Sequence, residues 1–183
     1  MDVNYTLTKE NNMVDTISEL YESIHQIICI HCKLNKLAMV ITHNLNYNGF
    51  KRWHRCRARK FFELDLKLRN ELLDKFRIKA DFKDYDVTYS PSNIEEHIKL
   101  WDKSLLDAIE ELGTLSKKYN DETGTVCAVI DCALCELVKD YEKVGRLIKR
   151  FNDSDWLTLD IHIVDDKIHK KYKKKEMKHG LRY

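Results

Sequence analysis

Pro91 is the only proline in 183 residues, and five glycines accompany it. Proline and glycine break and turn a chain. A chain this poor in both is confined to few, long, unbroken elements. The apolar residues say which kind. From Val14 onward, Ile17, Leu20, Tyr21, Ile24, Ile27, Ile28, Leu34, Leu37 and Ile41 recur at the spacing of one helix face. The spacing predicts helix A over about 11–45. Asn46-Tyr47-Asn48-Gly49 is a short turn, so helix B, about 50–77, should pack antiparallel to it through Phe50, Trp53, Phe61, Leu64, Leu68, Leu72 and Phe76. The stretch from Lys79 to Pro91 breaks the pattern and is too long for a hairpin turn. Helix C begins near Ser92, with Glu95 and Glu96 in a first turn where acids suit the helix dipole. A second short turn over Tyr119–Gly124 leads to helix D, about 124–150. Asn152-Asp153-Ser154 ends that helix and offers a cap to helix E, about 155–171. The last dozen residues, about 172–183, read as a basic tail.

Four long helices with short AB and CD turns and one long BC connection match an antiparallel bundle with one crossover, followed by a shorter fifth helix. The expected fold class is therefore all-α, in one domain over 1–183. Charged residues make up 34% of the chain and hydrophobic ones 43%, which suits wet outer faces around a packed core and excludes a disordered chain. The N-terminus MDVNYTLTKENN lacks the basic and apolar regions of a secretory signal, and uninterrupted apolar runs are far shorter than a membrane span. The expected location is the cytoplasm, where the six cysteines (29, 32, 56, 127, 132 and 135) stay reduced.

The net charge of +2 is unevenly spread. Lys51–Lys60 carries six Lys/Arg and no acid. Lys167–Arg182 carries eight Lys/Arg and one acid, Glu176. These runs read either as solvated faces and a frayed tail, or as a polyanion contact in which Lys171, Lys173, Lys174 and Lys175 would meet nucleic acid.

The stretch Trp101-Asp102-Lys103-Ser104-Leu105-Leu106-Asp107-Ala108-Ile109-Glu110-Glu111-Leu112 resembles helix C of the ferritins, and Val138-Lys139-Asp140-Tyr141-Glu142-Lys143-Val144 resembles their helix D. The resemblance spans about 14–170 and agrees with the helix order. It implies an iron-storing or iron-binding homo-oligomeric cage, a 24-mer of about 24 subunits. It also implies a di-iron ferroxidase centre built from Glu on helix A, Glu-x-x-His on helix B and Glu on helix C, usually with Glu or Gln on helix D. In ungapped register those positions hold Ile28, Phe61 with Leu64, Asp102 and Leu137. Clustered core carboxylates are tolerated only with metal or protons to offset them. Apolar replacements should instead stabilise the bundle by roughly 1.5–3 kcal/mol for each fully buried side chain. The expectation is a ferritin whose usual centre has become core.

Asp102 then needs a partner. Arg57 and His25 are the candidates, unless Asp102 and His25 are residual ligands for Fe2+ or Fe3+. Glu136 and Asp140 match cavity carboxylates of the resemblance, although the helix B partner position holds the cation Lys60; with Glu63 they could nucleate iron, or they form a solvated acidic face balancing Lys60 and Lys143. Cys29-x-x-Cys32 and Cys132-x-x-Cys135 lie within helices, which favours small buried thiols over a zinc knuckle. Cys127 and Ile130 stand where the resemblance places the three-fold pore and its acids, which weakens the usual route for iron. His162 and His169 share a face of helix E, as metal ligands around a four-fold axis or as ordinary packing residues. Three functions remain in view: an iron-storage subunit with atypical or absent ferroxidase activity, a particle that binds DNA, and a helical scaffold without a ligand.

Overall fold

The computed structural model describes the backbone of residues 3–79, 83–119 and 124–178, and within these the side chains other than those of 3–14, 119, 124–127, 129 and 178. Helix α1 spans Val3–Asn44, α2 Asn48–Phe76, α3 Ile94–Tyr119, α4 Gly124–Asp153 and α5 Thr158–Lys178. All the regular structure among the described residues is helical. The turn expected over 120–123 and the end of the tail from 179 lie outside the described residues.

The boundaries follow local chemistry. After α1, Asn46 takes a left-handed φ of 65°, which Asn tolerates, and Tyr47 N–H donates to Thr42 O at 2.8 Å. Helix α2 ends on Arg77 in the left-handed region, whose following residue closes back on the last turn through Ile78 N–H to Leu72 O at 3.4 Å. Helix α3 starts at Ile94, two residues after the expected Ser92, on a cap not among the sequence expectations: Asn93 Oδ1 accepts from Glu96 N–H at 2.9 Å, and the Glu96 carboxylate accepts from Ser92 N–H and Oγ–H at 2.7 Å each.

Helix α1 packs on α2 and α3 on α4, while α1–α3 and α2–α4 contacts join the two hairpins. The connection from 77 to 93 runs along α1: Lys83 O faces His25, Tyr85 O accepts from Lys33 Nζ at 2.5 Å, and Tyr89 reaches His97. The core is continuous through all five helices, with Tyr21, Ile24, Ile28, Phe50, Trp53, Phe61, Trp101, Leu105, Leu137 and Phe151 fully or almost fully buried. The Asp15–Asn44 part of α1 is long and apolar enough to cross a bilayer, contrary to the reading from uninterrupted runs. Here it lays one face against α2 and carries His25, His31 and Asn35 into the core.

Helix α5 differs from its expected form. It does not end near 171 but continues to Lys178, so the first part of the basic tail is helix. The reason is burial: Tyr172 and Glu176 turn inward, each only 7% exposed. The helix folds back along α2, with both chains running the same way. His162 stacks on Tyr47, Asp165 meets Phe50, His169 meets Arg52, and Glu176 meets Arg52 and Arg55. Asp165 Oδ1 accepts from Phe50 N–H at 2.8 Å, supplying from α5 the cap that α2 lacks in its own sequence. Gly49 makes the approach possible, because a Cβ there would lie 1.9 Å from the Asp165 carbonyl oxygen.

Candidate functional site

Four of the five positions where the resemblance puts metal ligands are apolar core. Ile28, Phe61, Leu64 and Leu137 are all buried, none more than 5% exposed. Asp102 is half-buried on α3, and its Oδ1 has no hydrogen-bond partner among the described residues. Burial pushes its carboxyl above the usual range. Neither expected partner reaches it. Arg57 turns across to α4, and His25 turns to Asp65. Among the described residues, no three His, Cys, Asp or Glu side chains converge as a metal-holding group.

His25 has become part of a structural pair. Its Nδ1 lies 2.5 Å from Asp65 Oδ1, and Asp65 also accepts from Arg69 Nε at 2.9 Å. Burial raises the Asp65 value, but hydrogen bonds and charge from His25 and Arg69 outweigh it and hold the carboxyl low. Its Nε2 faces the Lys83 carbonyl at 3.1 Å, tying the connecting segment to α1.

Glu136 and Asp140 are not a freely solvated acidic face. Arg57 bridges them, with Nη1 at 2.7 Å from Glu136 Oε2 and Nε at 2.5 Å from Asp140 Oδ2. Asp140 is 4% exposed, and burial raises its value despite Arg57. Glu136 goes the other way: burial raises it, but the hydrogen bond and charge of Arg57, helped by Lys139, leave it lowered. Lys143 completes the group. Its Nζ sits 3.4 Å from the Trp53 ring centroid and donates to Tyr172 Oη at 3.1 Å. Burial pushes its ammonium down to about 7. Glu63 stands apart, half exposed and paired with Arg59 at 2.9 Å.

A second polar feature was missed in the sequence. Tyr89, His97, His54, Asn35 and the His31 backbone form one chain of hydrogen bonds through the core. Asn35 Nδ2 donates to His31 O at 2.7 Å, which leaves Asn35 Oδ1 to accept from His54 Nδ1 at 3.0 Å. His54 Nε2 must then accept from His97 Nε2–H at 3.1 Å, while Tyr89 Oη lies 2.8 Å from His97 Nδ1 and donates to His97 O at 2.9 Å. The His54 ring keeps both of its bonds only when neutral, since a second proton, on Nε2, would face the His97 Nε2–H. Burial holds His97 at about 4 and His54 well below the usual histidine value, with the neighbouring His97, Lys143 and Arg57 charges adding to the effect on His54. His31 is buried nearby, its ring 5.6 Å from Phe61 and 6.1 Å from Trp101, and burial lowers it to about 4. The pattern held a usable signal. His31 falls four and three residues after Ile27 and Ile28 on the apolar stripe of α1, and His54 sits between Trp53 and Arg57 on the inner face of α2.

The basic segments come together. Lys171, Lys173, Lys174 and Lys175 are exposed on α5, which lies along the Lys51–Lys60 segment of α2. A cleft of about 430 Å³ opens between these helices and α4, lined in part by Arg55, Cys56, Lys60, Tyr172 and Lys175. His162 and His169 are used in docking α5. The cysteines depart from the expected buried state: Cys32 is buried and Cys29 and Cys56 are half-buried, but Cys132 and Cys135 are exposed on α4. The side chain of Cys127 lies outside the described residues, and Ile130 is fully buried.

The backbone matches solved ferritins. An iron-soaked PmFTN variant superposes with a TM-score of 0.71 at 12% identity, over 82% of this chain and 98% of that one. An engineered closed form of the Archaeoglobus fulgidus ferritin gives 0.68 at 12% identity, over 86% of this chain and 94% of that one. The open-pore ferritin of the same archaeon gives 0.63 at the same identity and coverage. No protein-family model and no curated protein sequence matches the chain. The fold is ferritin-like, with the short fifth helix.

Proposed function

We propose that this chain is a single-domain subunit of a homo-oligomeric, ferritin-like iron-storage shell that has no di-iron oxidation centre of its own. One observation carries the second half of the reading. Ile28, Phe61, Leu64 and Leu137 fill the bundle where the resemblance puts carboxylate and imidazole ligands. Only Asp102 keeps a carboxylate there. One acid without converging partners cannot hold two iron ions, which require several oxygen or nitrogen donors. The first half rests on the fold shared with an iron-soaked PmFTN variant and the A. fulgidus ferritins. In this reading iron is cargo, its oxidation is spontaneous or performed elsewhere, and the compartment is the cytoplasm. Glu136 and Asp140 are a weaker place for mineral to start, because Arg57 already bridges both. Glu63 is the more accessible carboxylate.

The experiment is light scattering on purified protein before and after incubation with Fe(II), with iron assayed in the sized fraction. A shell of about 24 subunits that retains iron is the expected result. A monomer, or a shell that elutes free of iron, would overturn the reading.

A second reading has its own support. Helix α5 brings the lysine-rich segment beside the basic segment of α2, giving one cationic face where the sequence held two separate runs. If nucleic acid binds there, affinity should fall steeply with salt as counterions are released. A mobility-shift titration without salt-sensitive DNA binding would remove that reading.

A further inference from the structure

The cleft between α2, α4 and α5 has charges that the fold does not use up. Five cations line it, Arg55, Arg57 and Arg59 with Lys60 and Lys175, against three carboxylates. Each carboxylate is already engaged: Glu136 by Arg57, Glu63 by Arg59, and Glu176 by Arg52 and Arg55. Lys60 on α2 and Lys175 on α5 meet no carboxylate among the described residues, although they face the same space. Arg59 commits only Nε to Glu63, and a guanidinium has five N–H donors.

The surroundings favour an anion over water alone. The cleft is concave and is backed by the buried Tyr172 ring and the Cys56 thiol, which burial keeps in its neutral form. Cations along a low-dielectric wall focus their field into the space between them. The volume of about 430 Å³ falls within the range of small-molecule sites, about 300–1,000 Å³. Compact ammonium groups from two helices, with an arginine at the rim, suit several phosphate oxygens at once better than a single carboxylate.

We propose that the α2–α4–α5 cleft binds a small polyphosphate, either the triphosphate of a nucleotide or free inorganic polyphosphate, through Lys60, Lys175 and Arg59. The site depends on how α5 docks on α2 and owes nothing to iron handling. The ligand bridges two helices that are far apart in sequence, so its occupancy also strengthens the hold of α5 on the bundle.

The test is isothermal titration of the full chain with ATP, inorganic tripolyphosphate, adenosine and a DNA duplex, at ionic strength fixed with potassium chloride. ATP and tripolyphosphate should each saturate a single site per chain, and adenosine should not bind. Tighter binding of ATP than of tripolyphosphate would assign the site to a nucleotide, and equal binding to the phosphate chain alone. The double variant Lys60→Ala, Lys175→Ala should weaken both by about tenfold or more, because each lysine supplies a charge-assisted contact. Its melting temperature without ligand should stay close to that of the parent, since neither lysine has a carboxylate partner and Lys175 loses only its contact over the Tyr172 ring, 5.3 Å from the centroid. Absence of saturable binding would overturn the proposal, as would unchanged affinity in the double variant. So would salt-sensitive binding of the duplex with none of ATP or tripolyphosphate.

Discussion

Acidification from about pH 7 to about pH 5 should loosen this bundle. His31 and His97 are buried, and each has its imidazole lowered from 6.5 to about 4. In the unfolded chain they take up protons near 6.5, whereas in the fold they stay neutral until about 4. The unfolded state therefore binds more protons throughout that window, and stability falls as pH falls. Between about pH 7 and about pH 5 each such histidine removes roughly 2 kcal/mol, or roughly 4 kcal/mol for the pair. That is a large share of a typical folding free energy of about 5–15 kcal/mol. His54 acts in the same direction, because a proton on its own Nε2 would destroy the bond that nitrogen accepts from His97 Nε2–H. Asp102, Asp140 and Asp165 act in the opposite direction. Their raised values let them protonate in the fold before they would in the unfolded chain, which restores stability as pH falls through those values. The assay is urea unfolding at a series of pH values, for the parent and for His31→Leu. The parent should lose several kcal/mol from pH 7 to 5, and the variant should show a shallower slope by about 2 kcal/mol over the same range. A parent curve flat over that interval, or an equal slope in the variant, would refute the reasoning.

Leu137→Ala should destabilise the bundle by about 2–5 kcal/mol, read by urea unfolding, because it empties a fully buried position between helices. Arg57→Ala should cost about 3–5 kcal/mol by the same measure, since it strands the buried Asp140 carboxylate and leaves Glu136 without its main partner. The loss should shrink at low pH, where Asp140 can protonate. Gly49→Ala should displace α5, as the new methyl would overlap the Asp165 backbone. Hydrogen exchange should then rise selectively over 158–178.

The helical fold was legible because its determinants are local. Pro91, the Ser92-Asn93-Glu96 cap and the turn at Asn46 sit where the periodicity stops, and each does in the structure what its chemistry suggests. Burial of Ile28, Phe61, Leu64 and Leu137 also followed from pattern. The polar interior did not. His54 and His97 are far apart in sequence and meet only when α2 and α3 pack, so neither residue announces its partner. Asp102 was given Arg57 or His25 because both lie near the right helical level, but level does not specify direction. Arg57 found two carboxylates on α4, and His25 found Asp65 on its own neighbour α2. Helix α5 was cut short because a run of lysines resembles a tail. The two inward residues, Tyr172 and Glu176, are spaced i, i+4 and were the signal that the helix continues.

The central claim is that the bundle's interior holds no iron-oxidising centre. Stopped-flow mixing of aerobic Fe(II) with the assembled protein, followed optically against a no-protein control, tests it most directly. Oxidation should run no faster than the control, with no saturation at a fixed ratio of iron to chain. A rapid, saturating phase at about two iron ions per chain would contradict the claim, because a paired-metal centre would then exist although Asp102 alone keeps a carboxylate at the positions where the ferritin resemblance puts ligands.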